Sequence, residues 1–272
     1  MTIEHTKIAF IGGGNMAQAI LTGLLAAKFS PENLLVCAPS NTTREKLAEK
    51  FQVNVSDNNA SAANFAEVIF LAVKPNMIAT VADELSLVLQ SNGDDKLIIS
   101  LAAGVTTEQL QGYVRGNSSV IAAMPNLPSA VRQGLTGLVA AKDCSVDGIK
   151  LADDIFSAVG KTLWLDDESK MPALVATAGS SPAYFFLFLE AMIESGVQLG
   201  LTHQQAKTAA VQSGLGALTM ASRSELSVIE LKAQVTSPNG TTHQALESFT
   251  DNNLKTLVDE AMQTAARKAA NY

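Results

Sequence analysis

The chain has 272 residues, 47% of them apolar and 17% charged, so it can bury a full core and is not a disordered segment. A formal net charge of −7 disfavours nucleic acid and anionic membranes as partners. Two cysteines without a framework of spaced pairs fit a reducing, cytoplasmic location, and three scattered histidines lack metal-ligand spacing, so no metal is expected. The N-terminus is a poor signal peptide, and the most apolar later run, Ala183 to Ile193, is too short to span a bilayer and contains Glu190, so no membrane contact is expected.

Taken in chain order, Lys7–Ile11 reads as a strand and Asn15–Lys28 as a helix with Ile20, Leu21, Leu24 and Leu25 on one face. Leu34–Cys37 is a second strand, and Thr42-x-x-Glu45 is a capping box opening a helix to about Phe51. Val53–Val55 is a short strand. Val68–Val73 and Leu97–Leu101 are continuous apolar runs, as expected for strands covered on both faces. Thr106-x-x-Gln109 caps the next helix. Ser119–Ala123 and Leu135–Ala140, separated by Met124-Pro125-Asn126-Leu127-Pro128, are two more strands, and Thr162–Leu165 closes the sheet. After Asp166-Asp167-Glu168 no strand pattern remains. Ser181-Pro182 is expected to start a helix, with Ser as cap and Pro in the first turn, and Thr202-x-x-Gln205 caps another. Helical spacing continues through Leu218, Leu226–Lys232, Ala245–Phe249 and Leu254–Ala269. This pattern predicts an α/β protein: a Rossmann-like, doubly wound, mostly parallel sheet over residues 1–166, then an all-helical C-terminal domain over 167–272.

The chemistry starts at Gly12-Gly13-Gly14-Asn15-Met16-Ala17, which follows the first strand, opens the first helix and fits the dinucleotide fingerprint G-x-G-x-x-A. Gly12 allows the tight turn, Gly14 lets backbone approach a pyrophosphate, and Ala17 lets helix and strand pack closely. Asn15 and Met16 begin the helix whose free N–H groups face the phosphates. NAD-binding folds place a carboxylate at the end of the second strand, but here the chain reads Val36-Cys37-Ala38-Pro39-Ser40-Asn41. Ser40, Asn41, Thr43 and Arg44 instead offer donors that suit a 2′-phosphate. NADPH is therefore the expected cofactor, with NADH the weaker one. Two further strand-end loops should share this sheet edge: Ala72-Val73-Lys74-Pro75-Asn76, whose Lys74 can attract phosphate charge, and Ala102-Ala103-Gly104-Val105, whose alanines leave room for a nicotinamide. Asn59 either touches the adenosine side or caps the helix before Val68.

The ordered set of motifs resembles the pyrroline-5-carboxylate reductase family. It comprises the glycine turn, Ala72-Val73-Lys74-Pro75, Ala102-Ala103-Gly104-Val105-Thr106, Met124-Pro125-Asn126-Leu127-Pro128, Gly179-Ser180-Ser181-Pro182-Ala183-Tyr184, and Leu231-Lys232-x-x-Val235-Thr236-Ser237-Pro238-x-Gly240-Thr241-Thr242. The resemblance spans nearly the whole chain. It implies NAD(P)H-dependent reduction of 1-pyrroline-5-carboxylate, a cyclic imine bearing a carboxylate, to L-proline. It further implies that Ser237, Gly240 and Thr241 line the carboxylate site, that the Thr242 hydroxyl meets the imine nitrogen as the catalytic group, and that Gln234 contacts the nicotinamide side. The nitrogen is protonated either by binding as an iminium ion or through Thr242 and a water. Glu168 lies where family members often carry an acid near the substrate; it either favours a cationic iminium or is a surface linker carboxylate.

The sequence departs from the family at two places. The substrate loop usually reads Pro-Gly-Gly, where this chain has Pro238-Asn239-Gly240, and Asn tolerates a left-handed backbone. Thr177-Ala178-Gly179 is a loose match. The stretch Ala183–Leu189 is apolar around its whole circumference, which predicts a homodimer interface. By the resemblance, larger rings up to a decamer follow. A β-hydroxyacid dehydrogenase is the first alternative, but it requires a Lys on the helix Ala183–Leu199, which has Glu190, Glu194 and Gln198 instead. A non-catalytic NADP sensor is the second, and it would have no reason to keep the turn Ser237–Thr242.

Overall fold

The computed structural model describes residues 3–92, 96–114 and 118–271. Eight strands form one sheet: β1 (Ile8–Ile11), β2 (Leu34–Cys37), β3 (Asn54–Ser56), β4 (Val68–Leu71), β5 (Leu97–Ser100), β6 (Ser119–Met124), β7 (Gly134–Ala140) and β8 (Gly160–Trp164). Their order across the sheet is β3-β2-β1-β4-β5-β6-β7-β8. All neighbours are parallel except β6 and β7. The exception follows from chain length. Residues 125–133 join β6 to β7, while a parallel crossover needs about a dozen residues or more.

Every residue of β1, β2, β4 and β5 is buried, as their unbroken apolar sequences require. The strand alternation splits them between two cores. Ile8, Phe10, Leu34, Val36, Val68 and Phe70 face one. Ala9, Ile11, Leu35, Cys37, Ile69 and Leu71 face the other. The first core centres on Phe10 stacked on Phe70 at 4.6 Å between ring centroids, with Phe156 edge-on to Phe70 at 5.7 Å. Each such fully buried side chain is worth about 1.5–3 kcal/mol. The helices of this half are α1 (Asn15–Ala26), α2 (Asn41–Phe51), α3 (Ala60–Phe65), α4 (Ile78–Asn92), α5 (Thr107–Tyr113) and α6 (Val146–Ser157). The start of α2 differs from the expected capping box. Ser40 is the cap and accepts from Thr43 N at 3.4 Å, while Glu45 accepts from Asn41 Nδ2 at 2.6 Å. The chain turns helical at Asn41, which leaves Thr42 inside the first turn.

The later helices are α7 (Met171–Leu174), α8 (Ser181–Gln198), α9 (His203–Arg223), α10 (Val228–Gln234), α11 (Thr241–Asp251) and α12 (Leu254–Ala269). Two compact units result: Met1–Ser180 with Ala265–Tyr272, and Ser181–Thr264. The turns after residue 166 thus stay with the sheet, where the Leu174 side chain lies against Gly137 of β7. α8 starts at Ser181 with Pro182 in its first turn, as expected. A π-helical turn, Val175–Gly179, joins α7 to α8, so the backbone is helical from Glu168 to Gln198 over 31 residues. The apolar run expected to be too short for a bilayer therefore belongs to a helix long and apolar enough, by length and composition alone, to cross one. Within the second unit only Ala206 and Ala210 are buried hydrophobics among the described residues, while Phe185, Phe186, Leu187 and Phe188 are exposed.

Burial holds the Cys37 thiol well above its ordinary range, at about 11. Burial also raises the half-buried Cys144 thiol, but its partial exposure leaves it reachable, so iodoacetamide at pH 8 is expected to label Cys144 slowly in the folded protein and Cys37 only after unfolding. Peptide mass spectrometry with and without denaturant reads this, and equal native labelling of both cysteines would contradict it.

Candidate active site

The glycine turn sits where the strand order reverses, between β1 and β4. Gly12 has φ +106°, and a Cβ there would lie 2.4 Å from the Ala72 carbonyl oxygen, so both conformation and space require glycine. Its N–H donates to Cys37 O at 2.8 Å, tying the ends of β1 and β2. Gly14 is the N-cap of α1 with ordinary φ −73°, and nothing lies within 4 Å of where its Cβ would be. That open side lets a ligand reach the backbone. Asn15 and Met16 follow in the first turn, and Ala17 is buried against the core. The arrangement suits a pyrophosphate at a helix N-terminus.

Ser40, Asn41, Thr43 and Arg44 gather at the end of β2, and Arg44 organises them. Its Nη1 donates to Ala38 O and Pro39 O, both at 2.8 Å, and its Nη2 donates to Asn41 Oδ1 at 3.2 Å. The guanidinium also lies 3.6 Å from Asp57, a carboxylate just past β3. Asn59 does not cap α3: its Nδ2 donates to Glu84 Oε2 at 2.8 Å, while Ala60 N donates to Asn58 Oδ1. Gly12, Pro39, Asp57, Asn59 and Val73 line one cleft of about 550 Å³. Ala72 flanks Gly12, exposed Lys74 precedes a short 3-10 turn, and Pro75 opens that turn.

A second cavity, about 460 Å³, opens at the ends of β5 and β6. Met16, Ala102, Ala103, Pro125, Glu168 and Ser180 are on its wall. Gly104 makes the turn there with φ +75°. Asn126, nearly fully buried, braces the same wall. Its Nδ2 donates to the π-turn carbonyl of Ala178 at 3.0 Å, and its Oδ1 accepts from Leu135 N at 2.9 Å. π-turns interrupt the regular helical ladder, and the Asn126 amide ties this one to the end of β6.

In the second unit, Ser237 to Gly240 form a turn with Gly240 N donating to Ser237 O at 3.1 Å. Pro238 precedes Asn239 at φ +59°, the left-handed conformation that a type II turn needs at its third position. Gly240 has ordinary φ, but a Cβ on it would lie 2.4 Å from Ser237 Oγ. Gly240 is the N-cap of α11, and exposed Thr241 and Thr242 are its first two residues. Their N–H groups begin a helix and have no intrahelical partner. Gln234 ends α10 and lines a shallow cleft with Arg223 and Leu231.

Residues 168–272 match the family model described as pyrroline-5-carboxylate reductase dimerisation, and 7–104 match one described as NADP oxidoreductase coenzyme F420-dependent. A pyrroline-5-carboxylate reductase of Haemophilus influenzae is 41% identical over 268 residues, covering 98% of this chain and 97% of that protein. One from Pseudomonas aeruginosa is 39% identical over 264 residues, covering 97% and 96%. The chain belongs to the pyrroline-5-carboxylate reductase family. Among solved structures, the family member from Coxiella burnetii is 40% identical with a TM-score of 0.88, covering 98% of each chain. The Plasmodium falciparum reductase, solved with NADP bound, is 30% identical with a TM-score of 0.86 and 98% coverage of each chain. Prephenate dehydrogenase from Aquifex aeolicus shares the fold at 11% identity and TM-score 0.55.

Within this family fold, the structure brings Gly12, Asn59 and Val73 to one cleft and Met16, Ala102, Ala103 and Glu168 to another. Ser237, Gly240, Thr241, Thr242 and Gln234 belong to the second unit, described separately. Sequence reading missed Asn126 and Asp57. A polar residue between Pro125 and Leu127-Pro128 was the available signal for the first, and nothing local marked the second.

Replacing Asn126 by Ala removes the acceptor of Leu135 N and the amide donor to Ala178 O, and is expected to cost about 1–3 kcal/mol, read as a lower urea midpoint. Asn126→Asp should be more damaging at pH 8 than at pH 5, because an ionised oxygen would face the Ala178 carbonyl. A midpoint unmoved by either change would contradict this.

Proposed function

We propose that this chain reduces the C=N bond of 1-pyrroline-5-carboxylate with NADPH, giving L-proline in the last step of proline biosynthesis. The observation that carries the reading is the match along almost the whole chain to reductases of this name, together with a glycine turn shaped for a pyrophosphate. When bound, NADPH supplies a hydride to the imine carbon. The chain supplies alignment, binding and a hydrogen-bond donor. Gly12, Gly14, Asn15, Met16 and Ala17 hold the pyrophosphate. Ser40 and Arg44 serve the 2′-phosphate, and Asn59, Ala72, Val73, Lys74 and Pro75 border the adenosine and phosphates. Ala102 and Ala103 leave space for the nicotinamide, with Gln234 contributing an amide.

The substrate is small and anionic, so its site needs donors more than a strong base. The N–H groups beginning α11, with Ser237, Gly240 and Thr241, suit its carboxylate. The Thr242 hydroxyl then meets the imine nitrogen. Alignment of the two reactants is the main catalytic term, because their association entropy is lost on binding rather than at the barrier.

The chain carries the family's dimerisation domain, and the exposed Phe185–Phe188 segment of α8 is the surface we place against a second copy rather than a bilayer. Assembly of dimers into a decamer and a cytoplasmic location complete the reading. Light scattering at micromolar concentration is expected to give at least twice the 28.5 kDa chain mass.

Purified protein with NADPH and 1-pyrroline-5-carboxylate should lose absorbance at 340 nm, and no loss would end the reading. Thr242→Ala is expected to lower kcat by about 10- to 100-fold, with Thr242→Ser recovering most of it, as for loss of one positioned proton donor. An unchanged kcat in Thr242→Ala would remove the hydroxyl from the mechanism. Arg44→Ala removes charge-assisted bonds worth about 1.5–3 kcal/mol, so KM for NADPH should rise by roughly tenfold or more. KM for NADH should rise less, through loss of loop order alone, and equal rises would argue against a 2′-phosphate contact.

A further inference from the structure

Glu168 stands on the wall of the 460 Å³ cavity, yet its carboxylate is already engaged within the protein. Oε1 accepts from the backbone N–H of Thr107 at 3.0 Å, and Oε2 accepts from the same N–H and from the Thr107 hydroxyl, each at 3.3 Å. Thr107 is the first residue of α5, whose cap is Thr106. Thr106 and Gln109 form a reciprocal capping box, with Thr106 N donating to Gln109 Oε1 at 3.0 Å and Gln109 N to Thr106 Oγ1 at 3.1 Å. The box leaves the Thr107 N–H free, and Glu168 takes it. A helix of seven residues is too short to be stable alone, so its start is fixed mainly by such contacts. The loop fixed in this way is Ala102 to Thr106, with its left-handed Gly104.

Glu168 also begins the other wall. The helical path from Glu168 through Met171 and Val175 to Ser180 lines the same cavity. One carboxylate therefore fastens two walls whose sequences lie 61 residues apart. We propose that Glu168 is a positioning residue, acting through Thr107 to hold the Ala102–Thr106 loop at its working distance from the 168–180 wall, and not a charge partner of the substrate. The proposal rests on the imine-reductase reading for its kinetic readout alone.

The chemistry gives a direct test. An amide oxygen can accept from Thr107 N as a carboxylate does, and an amide NH2 can donate to the Thr107 hydroxyl. Glu168→Gln should therefore keep kcat/KM within about threefold of the parent, whereas Glu168→Ala should lose about 10- to 100-fold, the scale of a small misalignment at a reacting centre. The pH profile of kcat/KM should not move in Glu168→Gln. Thr107→Pro removes the donor at a helix position that proline suits, and Thr106 is already extended at φ −74°, ψ 157°, as a residue before proline must be. Because Glu168 acts through that N–H, Thr107→Pro with Glu168→Ala should be no worse than either single change. Hydrogen exchange of peptides spanning 102–110 should quicken in Glu168→Ala and return to the parent rate in Glu168→Gln. This last measurement needs no turnover, so an inactive parent enzyme would end the reductase reading without deciding the clasp. Glu168→Gln as impaired as Glu168→Ala with a displaced pH profile would overturn the proposal. So would fully multiplicative losses in the double variant, or unchanged exchange in Glu168→Ala.

Discussion

Gly12 and the Ala72 carbonyl approach so closely that no side chain fits between them. This contact joins the ends of β1 and β4, the pair at which the strand order reverses, and it leaves the start of α1 open toward solvent. The strand-end loops that follow depend on it. The β2 loop is tied to Gly12 through Cys37 O, and the Ala72–Pro75 loop flanks it directly. Both cores stand behind this edge, with Phe10 and Phe70 stacked beneath the turn. The sheet is thus a rigid support on which a cofactor's phosphates and rings can be held at fixed places.

Local signals were legible in the sequence where local physics decided the outcome. The unbroken apolar runs became strands buried on both faces, and the Thr106–Gln109 and Thr202–Gln205 boxes both formed. The glycine turn was readable because Gly12 has no alternative at its φ. Asn239 adopted the left-handed turn that its side chain tolerates. The misreadings have physical causes too. Ser40 and Thr42 were both competent caps, and one residue of helix length chose between them. α8 does start at Ser181, but nothing in sequence marks the π-turn Val175–Gly179 that precedes it. The Ser227–Glu230 box of α10 was overlooked although its pattern is of the same kind. Asp57 beside Arg44, Glu168 on Thr107 and Asn126 on Ala178 are contacts between distant segments, so no local pattern announces them.

Arg44 and Glu168 illustrate how charge is used in a site that handles anions. Each is placed close to where a ligand is proposed to bind, and each has most of its hydrogen bonds committed to backbone. Arg44 closes the β2 loop on its own carbonyls before any phosphate arrives. Glu168 meets the first residue after a loop made mostly of alanine, glycine and valine, whose one polar side chain, Thr106, is taken up by its capping box. Preorganisation of this kind lowers the ordering cost of binding, since the loops are shaped in advance.

The second unit shows a different economy. Its described residues enclose two alanines, and large aromatic side chains of α8 face outward. Such a layer of helices has little interior of its own, and the proposed pairing of copies would supply more. On that proposed pairing, mass action would govern its integrity: dilution would weaken this half while the sheet, with its own cores, stays intact. Heat and denaturant would accordingly act on the two halves at different midpoints, and only the midpoint of the helical half would shift with protein concentration.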